Sequence, residues 1–77
     1  MSLSVYDRVK RLLLDLGAAE EDIAPDASFI ADLNLDPLDL GDLFLAVEEE
    51  FEIEIPDKEA RRLLTVHALV EYIEDQL

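Results

Sequence analysis

Residues 32–43 read DLNLDPLDLGDL and place three side-chain oxygens at alternate positions. Asp32, Asn34 and Asp36 have the spacing of the first three ligands of an EF-hand calcium loop. Such a loop also needs glycine at its sixth position and glutamate at its twelfth. Counted from Asp32, these positions hold Pro37 and Leu43. We therefore predict no high-affinity metal site here, while weak divalent binding by clustered carboxylates stays open.

Other residue types that could carry chemistry are scarce. His67 is the only histidine, and there is no cysteine to form a thiolate metal site, a nucleophile or a disulfide. We expect His67, near the start of the last helix, to be a surface or partly buried residue rather than a base. No glycine-rich phosphate loop or zinc pattern is present. We predict that the protein is not an enzyme.

The charge of the chain restricts its partners. With 20 Asp and Glu against 6 Lys and Arg, the formal net charge is −14, which excludes nucleic acid and anionic membranes as favourable partners. No basic residue lies between Leu12 and Asp57. This acidic block is either a solvated surface that keeps the protein soluble or a docking face for basic partners.

Length and the N-terminal sequence give the expected organisation and location. The 77 residues are enough for one small domain, predicted over residues 1–77. The opening MSLSVYDRVKRLLLDLG has no long apolar core or small-residue cleavage site, and no run is long enough to span a bilayer. We expect a cytoplasmic protein.

Apolar spacing predicts a first helix and a long loop after it. Ser4 can cap the helix and Gly17 can end it, with apolar residues recurring at helical intervals between them. These residues are Val5, Val9, Leu12, Leu13 and Leu16. A loop then covers residues 18–35, and we expect Phe29, Ile30 and Leu33 to pack inward from it.

The second helix is predicted to begin within the opening stretch. Asp36 suits the N-cap, Pro37 suits the first helical position, and Asp39 stands at the third position. Leu43, Val47 and Phe51 form an i, i+4, i+8 stripe, so the helix should run to about Phe51. Gly41 in its interior costs about 1 kcal/mol relative to alanine unless something must approach the backbone there.

The remainder is predicted to contain an extended connector and two more helices. Residues 51–57 alternate apolar residues with Glu, but there is no second strand to pair with them. A short third helix is expected from Pro56 and Asp57 to about Leu63. Thr65 caps a fourth helix. Its predicted buried stripe comprises Val66, Leu69, Val70, Ile73 and Leu77.

The run FIADLNLDPLDLGDLFLAVEEEFEIEIPDKEA resembles the central region of acyl carrier proteins, and the likeness extends from the first helix to the final VEYI. The resemblance implies an all-α fold, a small acidic four-helix bundle with a long first loop and a short third helix. Both features agree with the elements expected from the residue pattern.

The resemblance also identifies one missing group. In the family motif Asp-Ser-Leu, the serine carries a phosphopantetheine arm through a phosphodiester, and here the tripeptide is Asp36, Pro37 and Leu38. Proline has no hydroxyl, so we expect no cofactor, and phosphopantetheine only if position 37 is natively serine. None of the other hydroxyl-bearing residues aligns with the attachment point. They are Ser2, Ser4, Ser28, Thr65, Tyr6 and Tyr72.

The resemblance further implies a partner-binding face on the second helix. Its predicted residues are Asp36, Leu38, Asp39, Asp42, Glu48 and Glu49, followed by Glu50 and Phe51 at the helix end. Gly41 and Leu40 depart from the family pattern, and Arg61 and Arg62 make the third helix more basic than usual. We predict a monomer that docks on basic surfaces of acyl-processing enzymes.

Three functions remain open from the sequence. The first is a carrier-like binding module that has lost its attachment serine and docks on enzymes of fatty acid, lipid or polyketide-type metabolism. The second is a genuine acyl carrier protein whose serine at position 37 has been artificially replaced by proline. The third is a bundle that holds a lipid noncovalently between its helices.

Overall fold

Four α-helices and one short 3₁₀ helix form the fold in a computed structural model that describes residues 4–77. The helices are α1 Val5–Asp15, α2 Pro37–Phe51, α3 Asp57–Ala60 and α4 Val66–Gln76, and the 3₁₀ helix Glu20–Asp22 lies in the long first loop. Helix α1 packs against both α4 and α2. The predicted all-α bundle with a short third helix is confirmed.

Local capping sets both ends of α1 as predicted. The Ser4 hydroxyl accepts a hydrogen bond from the backbone N–H of Asp7 at 3.1 Å, which satisfies one of the free N–H groups of the first turn. At the other end Gly17 adopts a φ of 98°, and the N–H of Ala18 bonds the carbonyl of Leu13 at 3.1 Å. This is the usual glycine-terminated helix end.

A single apolar core joins the four helices and the loop. Phe29 is fully buried from the loop and meets Phe44 edge-on, with ring centroids 6.4 Å apart. Helix α2 contributes Leu43, Val47 and Phe51, as the stripe predicted. The buried set is completed by Val9, Leu13, Ile23, Ala27, Leu33, Leu35, Ile55, Leu63, Val66, Leu69, Val70 and Ile73.

Backbone hydrogen bonds order the long loop by joining it to the segment that begins α4. We call these three bonds the loop seam. They run from Phe29 N to Leu64 O (3.1 Å), from Val66 N to Ala27 O (3.1 Å) and from His67 N to Pro25 O (2.7 Å). The seam pairs backbone N–H and C=O groups of the loop that would otherwise lack hydrogen-bond partners on burial.

Three predictions about burial and helix ends are wrong. Ile30 was expected to point inward but is 54% exposed, because the turn after Phe29 directs it to solvent. Leu77 was placed in the buried stripe but is 69% exposed, since α4 ends at Gln76. Helix α3 ends at Ala60 rather than near Leu63, and Arg61 and Arg62 lie in the turn that follows.

The connector between α2 and α3 is extended but unpaired, as predicted. Residues 4–77 contain no β-strand, only an isolated bridge between Ser28 and Thr65. The Tyr72 hydroxyl donates a hydrogen bond to the carbonyl of Glu54 at 2.9 Å and ties the connector to α4. Burial raises the pKa of Tyr72, and the charges of Glu59, Glu48 and Glu54 raise that pKa further. The hydroxyl therefore keeps its proton and its role as donor.

Candidate binding site on helix α2

The start of α2 is a complete capping box. The Asp36 carboxylate accepts the N–H of Asp39 at 2.8 Å, and the Asp39 carboxylate accepts the N–H of Asp36 at 3.3 Å. Pro37 occupies the first helical turn, where it has no N–H to leave unsatisfied. The predicted N-cap and first residue of α2 are confirmed.

The residues that resemble a calcium loop have local structural roles instead. Asp32 accepts the N–H of Ser28 through its carboxylate at 2.7 Å, and Asn34 takes a left-handed backbone conformation with φ of 56°. Asp36 caps α2. Within residues 4–77, no cluster of three or more His, Asp or Glu side chains is arranged to hold a metal ion.

Two leucines and two acids share the side of α2 that faces solvent. Leu38 and Leu45 are 80% and 56% exposed. Asp42 and Glu49 are also exposed, and the four positions fall within a narrow arc because about 3.6 residues complete a helical turn. We call these four residues the outer face of α2. Neither acid has a hydrogen bond or ion pair with another residue of the described chain 4–77.

Three of the residues predicted to bind partners are held by bonds within the protein. Asp36 and Asp39 form the capping box, and Glu48 accepts the N–H of Ile55 at 2.7 Å through its carboxylate. A carboxylate that satisfies a backbone N–H is less available to a partner. The structure thus separates the predicted set into structural residues and the exposed Leu38, Asp42 and Glu49.

The sequence reasoning missed Leu45 and Arg8. Leu45 lies seven residues after Leu38, a spacing that identifies a shared helix face. Arg8 crosses from α1 to the end of α2, where it pairs with the Glu50 carboxylate at 2.7 Å and donates to the Glu50 carbonyl at 3.1 Å. Its guanidinium also lies 4.2 Å from the centre of the Phe51 ring. No local pattern signals this contact.

Position 37 cannot hold a phosphopantetheine arm, because proline offers no oxygen for a phosphodiester. Other hydroxyls are engaged elsewhere: Ser28 accepts the N–H of Ala31 and Thr65 accepts the N–H of Ala68. Tyr6 is half-buried against the core. Ser2 lies outside the described residues. The group implied by the fold therefore does not fit the residues present.

His67 lies at the surface, one of the two positions expected for it. Its side chain is 64% exposed, and its Nε2 lies 3.1 Å from the carboxylate of Glu71 one turn along α4. The contact joins His67 and Glu71 alone, without a hydroxyl or a second histidine. It is an exposed pair on one helix rather than a catalytic dyad.

A groove separates α2 from α3 and the turn after it. Its α2 wall is formed by Pro37, Leu40, Gly41 and Phe44. Its other wall is formed by Asp57, Ala60, Arg61 and Leu64. The groove has a volume of about 480 Å³, and Pro37 lies at one edge of it.

A sequence model of the family described as "phosphopantetheine attachment site" matches residues 7–73. The match spans all four α-helices except the ends of the first and last, so fold and family agree. This chain belongs to the phosphopantetheine attachment site family and is an acyl carrier-like module.

Membership of this family indicates general functional properties. Its members normally carry phosphopantetheine, are generally not catalytic themselves, and dock on partner enzymes. Among residues 4–77, none of the helices has both the length and the apolar character required to cross a membrane.

Proposed function

We propose that this chain is an acyl carrier protein-like binding module that bears no phosphopantetheine arm. It acts by docking on enzymes of fatty acid, lipid or polyketide-type metabolism, where it holds an enzyme or competes with a genuine carrier. The observation that carries the proposal is Pro37 at the first position of α2, within an intact capping box. The helix start is preserved while the nucleophile for attachment is absent.

The acids of α2 support docking on a basic enzyme surface. Asp42 and Glu49 are exposed and free of intramolecular bonds within the part of the chain that is described, and the exposed Leu38 and Leu45 share their side of α2. A partner that neutralises the acids can bury the leucines at the same time. Asp36, Asp39 and Glu48 contribute to this face mainly by holding α2 and the connector in place.

The proposal also covers the domain number, the oligomeric state and the location of the protein. The chain acts as one carrier-like domain over residues 1–77, as a monomer, in the cytoplasm. Its strong negative charge opposes self-association through the acidic face of α2.

The loss of the arm is tested by changing Pro37 to Ser. Serine is acceptable near a helix start, so folding should change little, and Asp36, Leu38 and Asp39 retain the surrounding motif. A broad-specificity phosphopantetheinyl transferase and coenzyme A should then add an arm to the variant. Intact mass spectrometry measures the addition, with the parent protein as the control.

An arm on the unchanged protein would overturn the proposal. An unmodified Pro37→Ser variant would show that the transferase-docking face has diverged, with Gly41 and Leu40 as the residues that differ from the family pattern. The intact mass of the protein from its native source tests the genuine-carrier alternative, which requires serine and an arm at position 37.

Docking is tested by reversing charge on the outer face of α2. The double variant Asp42→Lys, Glu49→Lys should associate about tenfold more slowly at low salt with a phosphopantetheinyl transferase chosen for a basic docking surface, because electrostatic attraction accelerates encounter. Asp36 and Asp39 are left unchanged so that the capping box stays intact. Stopped-flow fluorescence gives the association rate constant.

The matched control is Glu20→Lys, Glu21→Lys, which makes the same change in net charge in the 3₁₀ helix outside α2. If both double variants slow association equally, net charge alone steers the encounter and the docking face is not on α2.

A further inference from the structure

The groove between α2 and α3 has an open floor at Gly41. A β-carbon built on Gly41 meets no atom within 4 Å, so packing inside the protein does not require glycine there. Glycine in a helix interior is unfavourable relative to alanine. Because Gly41 has no side chain, a partner molecule can approach the α2 backbone closely at this point, which lies between the groove and the outer face of α2.

Apolar side chains border this floor on both sides. Leu45 and Leu38 stand on the α2 side, and Leu64, which is 54% exposed, stands opposite on the turn after α3. Phe44 and Ala60 are half-buried between them. The result is a shallow apolar trough rather than an enclosed cavity, and an aliphatic chain lying in it would keep much of its surface in water.

The two sides of the trough differ in charge. On the α2 side stand the acids Asp42 and Glu49. Across the groove, residues 57–64 carry three basic and two acidic side chains, which makes this segment net positive in a chain of charge −14. Arg61 and Asp57 both line this wall of the groove, and Arg61 is exposed and has no ion pair within residues 4–77.

We propose that this groove binds an amphipathic helix of a partner protein that carries Lys or Arg along one edge and Asp or Glu along the other. The apolar stripe of that helix crosses α2 at Gly41, its basic edge meets Asp42 and Glu49, and its acidic edge meets Arg61. Close helix crossing is favoured where one helix presents a small residue. This inference rests on the proposed docking function and specifies its partner. A second copy of this chain is disfavoured by mutual repulsion.

The test uses synthetic amphipathic helical peptides with one leucine and alanine stripe. One peptide has Lys along both edges, and the other has Lys along one edge and Glu along the other. Affinities are measured by isothermal titration calorimetry at about 0.15 M salt, where nonspecific attraction to the acidic protein is screened. The quantity of interest is the ratio of the affinity of the mixed peptide to that of the all-Lys peptide.

Arg61→Glu should lower this ratio about fivefold, as expected for exchanging one favourable charge pair for an unfavourable one. Arg62→Glu makes the same change in net charge at an exposed residue that does not line the groove, and should change the ratio by less than half as much. Gly41→Leu should weaken the mixed peptide about tenfold by filling the floor, while circular dichroism confirms that the variant is folded.

Equal effects of the two arginine substitutions, or full affinity of the Gly41→Leu variant, would overturn the inference. Binding of decanoate in this groove without peptide binding would also overturn it, since the occupant would then be a lipid. These failures leave the proposed function standing if the Asp42, Glu49 variant still associates slowly with the transferase. Normal association of that variant would instead contradict the docking function itself.

Discussion

Pro37 and Gly41 stand about one turn apart in α2 and alter the helix in opposite ways. Pro37 fixes the backbone at a position where its missing N–H costs nothing. Gly41 increases the freedom of the unfolded chain and offers no contact within the fold in return. Pro37 fits the start of α2 at little structural cost, whereas Gly41 leaves a surface feature that the isolated protein does not need.

Replacing Gly41 with alanine should raise the free energy of unfolding by about 1 kcal/mol, because the new methyl group enters open space in a helix interior. Urea denaturation followed by circular dichroism measures the change.

Gly17→Ala is the control with the opposite expected sign. Gly17 has a φ of 98°, where an L side chain is strained, although a β-carbon there also meets no atom within 4 Å. This variant should be less stable than the parent. Equal stability changes at the two glycines would show that backbone conformation does not distinguish them.

Among the helices, the boundaries set by local chemistry were predictable from sequence. Ser4, Asp36 and Thr65 each cap a helix through a side-chain oxygen that accepts a backbone N–H within three residues. The apolar stripe of α2 likewise depends only on helical spacing. Each of these signals involves residues within about one helical turn of one another, so it can be recognised in the sequence.

Features that depend on distant residues were not predictable in this way. The exposure of Ile30 follows from the direction of the loop after Phe29, and the contact between Arg8 and Glu50 joins residues on different helices. At the candidate site, the resemblance to acyl carrier proteins gave Asp42 and Glu49 as partner-binding positions, and both are exposed. It did not reveal that Glu48 bonds to Ile55, because that bond depends on the path of the connector.

At the scale of the whole molecule, the excess of acidic side chains destabilises the folded state. Among residues 4–77, one ion pair across helices, between Arg8 and Glu50, offsets part of the formal charge of −14 in the acidic block. That pair is partly exposed, so its net contribution is small. The remaining carboxylates repel one another, and this repulsion lowers the stability of the folded state relative to the expanded chain.

We therefore expect the melting temperature to rise when about 0.15 M sodium chloride or millimolar calcium is added, because screening becomes effective beyond about 8 Å. Differential scanning calorimetry measures the change. The double variant Glu20→Gln, Glu21→Gln should melt higher than the parent at low salt and respond less to salt. A melting temperature insensitive to both salts would mean that the acids are too far apart to repel appreciably.

The loop seam has a consequence for how the protein folds and unfolds. It joins residues 29 and 64, so all of α2 and α3 lies within the chain segment that it closes. Closing a long segment costs entropy before its contacts form, and we expect the seam to form after the transition state for folding. Phe29→Leu keeps the backbone N–H of the seam but weakens the side-chain packing that holds this part of the loop against the core. It should then accelerate unfolding in stopped-flow experiments and leave the folding rate nearly unchanged, whereas an equal slowing of folding would place the docking of the loop at the seam in the nucleus. Formed late, the seam controls how long the native state survives rather than how quickly it is reached.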